Sequence, residues 1–141
     1  MASLSDPKVR EFLSHGTRTG KVAFAAGDGR PLVTPVWFIV EGDELVFTTG
    51  KNTAKGRAFA RDRRVAVCVD FEEPPYALVE VQGTVSLSED LDELVRIATA
   101  VAARYMGPDK ADEFGRRNGV PGELVVRVRP TKVIAQFDMT G

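Results

Sequence analysis

The chain has 141 residues, of which 43% are hydrophobic and 28% are charged, a balance typical of one globular domain rather than of a disordered chain. Its 19 Lys and Arg residues against 20 Asp and Glu residues give a formal net charge of −1, which argues against nucleic-acid binding through a broad basic surface. One cysteine and one histidine exclude an internal disulfide framework and argue against a Cys/His metal site. No apolar run reaches the ~20 residues of a membrane span, and the N-terminus lacks the apolar stretch of a signal peptide. We therefore expect one cytoplasmic domain over residues 1–141, with no metal and with neither membrane nor nucleic acid as a partner.

The first half of the chain predicts two short helices around an antiparallel meander. Asp6 or Ser5 can cap the first helix. Asn52 or Thr53 can cap the second, which runs to about residue 61. Between the helices, apolar and β-branched runs predict strands over residues 21–26, 31–40 and 45–49. The turns that join these strands are too short for a parallel crossover, so the strands pair antiparallel.

The second half predicts one long helix and four more strands. Ser88 is suited to cap the helix, which covers residues 89–105, and the segment 107–122 is irregular or short-helical. Alternating apolar residues and proline breaks predict strands over residues 65–71, 77–85, 123–129 and 132–138. About seven strands with two or three helices, in the order β-β-β-α-β-β-α-β-β after the first helix, predict a mainly β fold with flanking helices. A closed or nearly closed antiparallel barrel would also leave few free sheet edges.

One segment, residues 51–64, is distinctive in charge, because six basic residues stand there against Asp62 alone and give a local charge of +5. Lys51, Lys55 and Arg57 fall in the turn or the first turn of the second helix. Free backbone N–H groups and the helix dipole already favour an anion at that end, so cations placed there call for a counter-charge such as a phosphate or carboxylates. The alternative is a solvated basic helix paired with surface acids.

A second feature is the run Thr34-Pro35-Val36-Trp37-Phe38 inside the second strand. Proline withholds an N–H from the ladder, so it requires an edge or a bulge at this point. An opened edge beside the only tryptophan can receive a flat amphipathic ring whose rim takes backbone hydrogen bonds. The alternative is that Trp37 is a core or dimer contact. Because the meander leads from this strand to the basic helix, a planar ring with an anionic tail, as in a flavin-type nucleotide, fits both features.

The familiar catalytic motifs are absent from the sequence. It contains no Gly-x-Ser-x-Gly elbow, no His-Glu-x-x-His and no dinucleotide Gly-x-Gly-x-x-Gly between a strand and a helix. Gly50-Lys51 with Thr53 has part of a phosphate loop, but the leading glycine of that motif would fall at Leu45, inside a strand. No catalytic residue is therefore assigned.

The order of several short motifs resembles the pyridoxamine 5′-phosphate oxidase-like split β-barrel superfamily, with its FMN-binding fold. More closely, it resembles the F420-dependent oxidoreductases of the flavin/deazaflavin oxidoreductase B group. The resemblance covers residues 6–138, and the motifs that carry it are Gly29-Arg30-Pro31, Thr34-Pro35-Val36-Trp37-Phe38, Val46-Phe47-Thr48-Thr49, Lys55-Gly56-Arg57, Asp62-Arg63-Arg64-Val65-Ala66 and Val79-Glu80-Val81-Gln82-Gly83.

This resemblance implies a split β-barrel homodimer with two cofactor sites at the subunit interface. It implies that Lys55 and Arg57 meet the cofactor phosphate and that Arg61 meets carboxylates of an oligoglutamate tail. It places three further residues near the phosphate, namely Thr48, Thr49 and Lys51. The residues that would line the ring are Pro35, Val36 and Trp37. The residues that would reach a substrate pocket from the partner subunit are Tyr76, Tyr105, Arg116 and Asn118.

The function implied is an F420H2-dependent reductase of an unsaturated organic substrate. A deazaflavin transfers hydride itself, so the protein contributes orientation and electrostatics and needs no dedicated acid or base. The C-terminal arginine and histidine substrate motif of pyridoxamine 5′-phosphate oxidase is absent, which argues against that specific activity. Two alternatives remain: an FMN-dependent flavoprotein of the same fold, and a protein that binds F420, a flavin or another anion without turnover.

Overall fold

The computed structural model describes residues 2–141. The strands in this range are β1 (Gly20–Ala25), β2 (Pro31–Val36), β3 (Ile39–Glu41), β4 (Glu44–Gly50), β5 (Arg64–Phe71), β6 (Ala77–Ser88) and β7 (Glu123–Gln136). The helices are α1 (Pro7–Ser14), α2 (Ala54–Arg61), α3 (Leu91–Met106) and α4 (Ala111–Asn118), and a short 3₁₀ helix covers Pro108–Lys110. None of these helices is long and apolar enough to cross a membrane.

The seven strands form one antiparallel sheet that curls into a split barrel. Their order is β2-β1-β5-β6-β7-β4-β3, so β2 and β3 are the two edges of the sheet. Only Trp37 and Phe38 separate these edges along the chain, and a chain of that length spans at most about 11 Å between Val36 and Ile39. The sheet must therefore curl until its edges meet. We call the gap between β2 and β3, spanned by Trp37 and Phe38, the seam. The predicted mainly β, antiparallel fold is confirmed.

Valine-rich strands fill the barrel because their side chains alternate between the inside and the outside. In β5 the inward residues Val65, Val67 and Val69 are buried, and β6 repeats this pattern with Val79 and Val81. Three buried residues of α1, one buried phenylalanine of the seam and one of β4 complete the same cluster; these are Val9, Phe12, Leu13, Phe38 and Phe47. This period-two burial is the pattern on which the strand predictions rested.

The predicted strand over residues 31–40 is wrong as one element. Its first part, β2, pairs only with β1, and its last part, β3, pairs only with β4 at the far edge of the sheet. Pro31 and Pro35 lie in β2, an edge strand, where a missing N–H leaves no ladder bond unmade. The proposed opening of an edge at Pro35 therefore corresponds to the seam, and the β2 strand does not pair with β4.

The two predicted C-terminal strands are one bent strand, β7. Its break lies at a register shift opposite Gln82 and Gly83, where Gly83 faces Pro130 and Gln82 faces Lys132. Thr131 is thus the extra residue of a β-bulge. A Cβ on Gly83 would lie 2.2 Å from the Arg129 carbonyl oxygen, so glycine is required for this close approach.

The helix ends follow their caps. Asp6 accepts a hydrogen bond from the Lys8 N–H and Thr53 accepts one from the Gly56 N–H, as the capping predictions allowed. The long helix begins at Leu91 rather than at 89, because the Asp90 carboxylate, not Ser88, accepts from its first turn. The segment 107–122 contains the 3₁₀ helix and α4.

A network of charged side chains connects α3 to strands β3 and β7 of the barrel. The Glu41 carboxylate accepts two hydrogen bonds from Arg96, at 2.8 and 3.1 Å, and one from Arg127 at 3.0 Å. Arg127 also donates to Glu93 at 3.0 Å. Hydrogen bonds from Arg96, and then from Arg127, hold the pKa of Glu41 at about 2, although burial alone would raise it.

We expect the free energy of unfolding to fall in acid, because this network is then lost. The folded-state pKa of Glu41, about 2, lies below its ordinary value of 4.5, so its stabilising contribution is complete above pH 4.5 and is lost as the pH falls towards 2. Because Glu41 and Arg96 are 34% and 54% exposed, the loss is about 1 kcal/mol rather than the full value of the shift. Urea unfolding at pH 7 and pH 3 measures it. Glu41→Gln should remove most of this contribution, whereas Glu72→Gln, an exposed control, should not; an equal pH effect in all three proteins would contradict the assignment.

Candidate functional site

A cleft of about 410 Å³ opens at the seam of the barrel. One wall comes from the end of β2 and the seam, a second from the end of β4 and the start of α2, and a third from the apolar side of α3. The residues that line it are Thr19, Pro35, Val36, Trp37, Thr48, Thr49, Lys55, Ala98, Val101, Ala102, Asn118 and Glu123. The cleft therefore combines apolar walls and an aromatic ring with a few polar groups, which is typical of small-molecule sites.

Trp37 is held at the mouth of this cleft by Tyr105. The two rings stack with centroids 5.2 Å apart and planes within 4°, and Trp37 remains 41% exposed. The Tyr105 hydroxyl accepts from the Phe38 N–H at 3.2 Å and donates to the Arg18 carbonyl at 2.8 Å. Arg104 donates to the Phe38 carbonyl at 2.7 Å. Both backbone polar groups of Phe38 are thus satisfied by α3 side chains. Burial raises the pKa of Tyr105 and lowers that of Arg104.

Tyr105→Phe is expected to destabilise the protein by about 1–2 kcal/mol, because it leaves the Phe38 N–H and the Arg18 carbonyl without their partner. The stack on Trp37 is retained, so the loss reports the hydroxyl alone. Urea unfolding followed by tryptophan fluorescence measures it. Tyr76→Phe is the matched control, since the exposed Tyr76 hydroxyl makes no hydrogen bond to residues 2–141, and an equal loss in both variants would contradict the role of the Tyr105 hydroxyl.

The start of α2 presents Lys55 to the cleft. Thr53 caps the helix: its hydroxyl accepts from the Gly56 N–H at 3.1 Å, and its carbonyl accepts from the Arg57 N–H at 3.0 Å. The Ala54 and Lys55 N–H groups have no acceptor among residues 2–141. Gly56 lets the helix lie directly on the preceding turn, because a Cβ there would be 2.2 Å from the Gly50 carbonyl oxygen. A half-buried ammonium group beside two free N–H groups is suited to an anion.

The other predicted cations lie on the opposite side of α2. Lys51, Arg57 and Arg61 line a separate groove of about 510 Å³ together with Arg63 and Glu89; we call it the basic groove. Arg57 is two positions from Lys55, about 200° around a helix, whereas Arg61 is one turn from Arg57 and on its face. Lys51 forms an ion pair with Glu89 at 3.1 Å. The structure therefore brings Lys55 together with the predicted ring residues but does not bring Arg57 into the same cleft.

Of the four predicted substrate-pocket residues, one lines the cleft of its own chain. This is Asn118, at the end of α4. Tyr105 contacts the cleft indirectly through Trp37. Tyr76 lies in another groove, beside Cys68 and Met139, and Arg116 is exposed on α4. Tyr76 and Arg116 therefore do not meet the cleft of the same protomer.

Asn118 reaches the cleft because two glycines allow α4 to pack tightly on α3. A Cβ on Gly115 would lie 2.0 Å from the Thr99 hydroxyl oxygen, and one on Gly119 would lie 2.8 Å from Val95. The spacing Gly115-x-x-x-Gly119 puts both glycines on one face of a helix. This spacing is visible in the sequence and is typical of a helix that packs closely on a neighbour, which favours the short-helical alternative that the structure has over Ala111–Asn118.

Sequence reasoning also missed Glu123 and Thr19. Glu123 is half-buried at the start of β7, opposite Gly50 of β4. Burial raises the pKa of its carboxyl group, and Lys55 opposes this effect. Its position follows from the pairing of β4 with β7, which no local pattern reveals. Within residues 2–141, no cluster of His, Cys, Asp and Glu side chains is arranged to hold a metal ion.

Comparisons with known proteins give the family of the chain. The family model described as pyridoxamine 5′-phosphate oxidase matches residues 5–137. No curated protein matches the chain significantly.

Solved structures provide three informative neighbours. A conserved hypothetical protein from Mycobacterium tuberculosis superposes with a TM-score of 0.83 at 22% identity, over 98% of this chain and 85% of that one. An F420 reductase superposes with a TM-score of 0.69 at 28% identity, over 91% of this chain and 98% of that one. A heme storage protein from Vibrio cholerae superposes with a TM-score of 0.73 at 14% identity, over 96% and 98%.

The first and third of these neighbours show the fold alone, because their identities are low. The family model covers nearly the whole chain, including every strand of the barrel and the residues that line the cleft. The chain therefore belongs to the pyridoxamine 5′-phosphate oxidase family, a flavin- and deazaflavin-binding family that includes oxidoreductases.

Proposed function

We propose that the protein is a cytoplasmic F420H2-dependent oxidoreductase that transfers hydride between the deazaflavin and an unsaturated organic substrate. The observation that carries the proposal is that Trp37 and Lys55 line one cleft. A flat ring and an anion can therefore be held together there by a single protomer. The alternative that the cations are only a solvated surface is weakened by Lys55, which is half-buried and has no ion-pair partner within 4 Å among the described residues.

The residues of the cleft fit such a cofactor. Pro35, Val36 and Trp37 offer an apolar and aromatic surface to one face of the ring, and Thr48 and Thr49 offer hydroxyl groups to its polar rim. Lys55 and the free N–H groups at the start of α2 offer positive charge and donors to a phosphate. The apolar side of α3, with Ala98 and Val101, keeps water from the ring.

The basic groove favours F420 over FMN. A cofactor whose anionic tail continues beyond the phosphate would pass the turn at Asn52 and reach Lys51, Arg57 and Arg61. FMN ends at its phosphate and would leave these cations without a partner. The 28% identity to an F420 reductase across 91% of this chain supports the same choice.

The chemistry itself belongs to the cofactor: bound F420H2 supplies the hydride. The protein's residues bind and orient. Trp37, held in place by Tyr105, would pack against the ring, and Lys55 would bind the anionic end. Asn118 offers an amide donor and acceptor to a substrate that lies against the exposed side of the ring.

We also propose that two copies of the chain associate and complete each other's clefts. The cleft of one protomer is open at Trp37, and Tyr76 and Arg116, which face away from it, are free to reach the cleft of a second copy. Exposed apolar side chains near Tyr76 include Met139, at 46% exposure, as expected at a contact surface. Sedimentation velocity at micromolar concentration is expected to give a dimer, and a monomer would contradict this arrangement.

Side-by-side titrations with F420, FMN and FAD test the function. We expect the fluorescence of F420 to be quenched with the tightest binding, and reduced F420 to be oxidised in the presence of an unsaturated acceptor. Tighter binding of FMN than of F420 would identify a flavoprotein instead. Tight F420 binding without turnover against a panel of planar, unsaturated acceptors would identify a binding protein.

A further inference from the structure

The carboxylate of Glu123 lies next to Gly50 in the cleft, beside the turn that leads to the start of α2, where the anion of a ligand is expected. Glu123 pairs with Gly50, and a Cβ added to Gly50 would meet Glu123 Oε2 at 3.1 Å and the Thr53 methyl group at 2.9 Å. Because Gly50 has no side chain, the Glu123 carboxylate can occupy the space next to it. The same turn positions Thr53, the cap of α2.

The elements around the cleft place few charged groups near Glu123. The α2 helix contributes Lys55, and β4 contributes the hydroxyl groups of Thr48 and Thr49. The α3 wall is apolar, and α4 contributes the neutral Asn118. Lys51 pairs with Glu89 on the other side of the turn. Among the described residues that line the cleft, Glu123 is therefore the only acidic side chain and Lys55 the only basic one.

We propose that Glu123 is an internal counter-anion, which competes with the phosphate of the ligand for Lys55 and for the start of α2. The inference rests on the proposed function, because it needs an anionic ligand in this cleft. One ammonium group cannot neutralise a carboxylate and a phosphate placed side by side, so on binding the carboxylate takes up a proton or turns away. Glu123 then selects against weak anionic ligands and makes affinity depend on pH.

The direction of the pH dependence follows from this competition. A bound phosphate raises the pKa of the adjacent carboxyl group further than burial already does in the free protein. Binding is then accompanied by proton uptake, so affinity rises as the pH falls, by up to about tenfold per pH unit for one proton. The ligand's own titration is common to wild type and variant and cancels in their ratio.

The Glu123→Gln variant tests the proposal because glutamine keeps the shape and removes the charge. The ligands are FMN and F420, which carry a phosphate, and riboflavin, which does not. At pH 7.5 we expect the variant to bind FMN and F420 about tenfold more tightly than wild type, in line with the removal of one like charge at short range, and to bind riboflavin equally. Between pH 6 and 8 its affinity for the phosphorylated ligands should change less with pH than that of wild type.

Weaker or unchanged binding of FMN and F420 by Glu123→Gln would overturn the inference, since it would mean that Glu123 only orients Lys55 or does nothing. Glu11→Gln is the control, because Glu11 is exposed on α1 and lines neither the cleft nor the basic groove. If wild type and variants bind no ligand at any pH, the proposed function fails and the inference falls with it. Should the variant fold poorly, carboxyl ¹³C NMR of wild type is the second measurement: the pKa of Glu123 should rise when FMN is added, and an unchanged pKa would overturn the inference.

Discussion

Replacing Lys55 by methionine is expected to weaken the binding of F420 and FMN by roughly 10- to 100-fold. A charge-assisted hydrogen bond to a phosphate contributes ~1.5–3 kcal/mol, and methionine keeps most of the apolar stem of the side chain. Lys55 is the only base that lines the cleft within residues 2–141, so no neighbouring cation replaces it. Fluorescence titration at low salt measures the effect, and riboflavin, which lacks the phosphate, should bind the variant and wild type alike.

The matched variants for this experiment are Arg57→Met and Arg61→Met. Both side chains are exposed and lie in the basic groove, on the other side of α2 from Lys55. They should leave the affinity for FMN unchanged and weaken the binding of F420 with a long glutamate tail. If Arg57→Met weakens FMN binding as much as Lys55→Met does, the phosphate lies on the groove side of α2, and the division of the cations drawn here is wrong. Unchanged binding in Lys55→Met would remove Lys55 from the site.

The elements whose signal lies in neighbouring residues could be predicted from the sequence. The alternating valines of β5 and β6 and the capped helices α1 and α2 depend on spacings of two to four residues, and the structure has them where these patterns place them. Strand ends set by long-range pairing could not be predicted in the same way. Trp37 and Phe38 look like strand residues locally, and only the closure of the barrel makes them the link between its two edges.

The residues of the candidate site likewise fall into those that local sequence features select and those that depend on long-range pairing. Pro35, Trp37 and Lys55 were selected by local features, a proline in a strand and a cation at a helix start, and all three line the cleft. The grouping of Lys55 with Arg57 ignored the turn of the helix, which was readable from their spacing of two. Glu123 could not be selected from the sequence, because its place in the same cleft as Lys55 depends on the register that sets Glu123 opposite Gly50.

Gly56→Ala is expected to destabilise the protein by about 2 kcal/mol and to weaken cofactor binding at the same time. Helix propensity alone favours alanine by about 1 kcal/mol. Against this, the new Cβ would lie 2.2 Å from the Gly50 carbonyl oxygen and 2.8 Å from that of Lys51, and backbone atoms cannot rotate away as a side chain does. Overpacking of a buried position costs ~1–3 kcal/mol or more, so the clash outweighs the gain in propensity.

The helix can relieve that clash only by moving away from the turn. This movement changes the position of Lys55 relative to Trp37 on the opposite wall of the cleft. Urea unfolding and F420 titration of the same protein should therefore both change in Gly56→Ala. Gly27→Ala is the matched control, because an added Cβ at Gly27 meets nothing nearer than the flexible end of Arg61, at 3.5 Å. A Gly56→Ala variant that loses stability but binds F420 like wild type would mean that the phosphate does not depend on the placement of α2, and the anion site would have to lie elsewhere in the cleft.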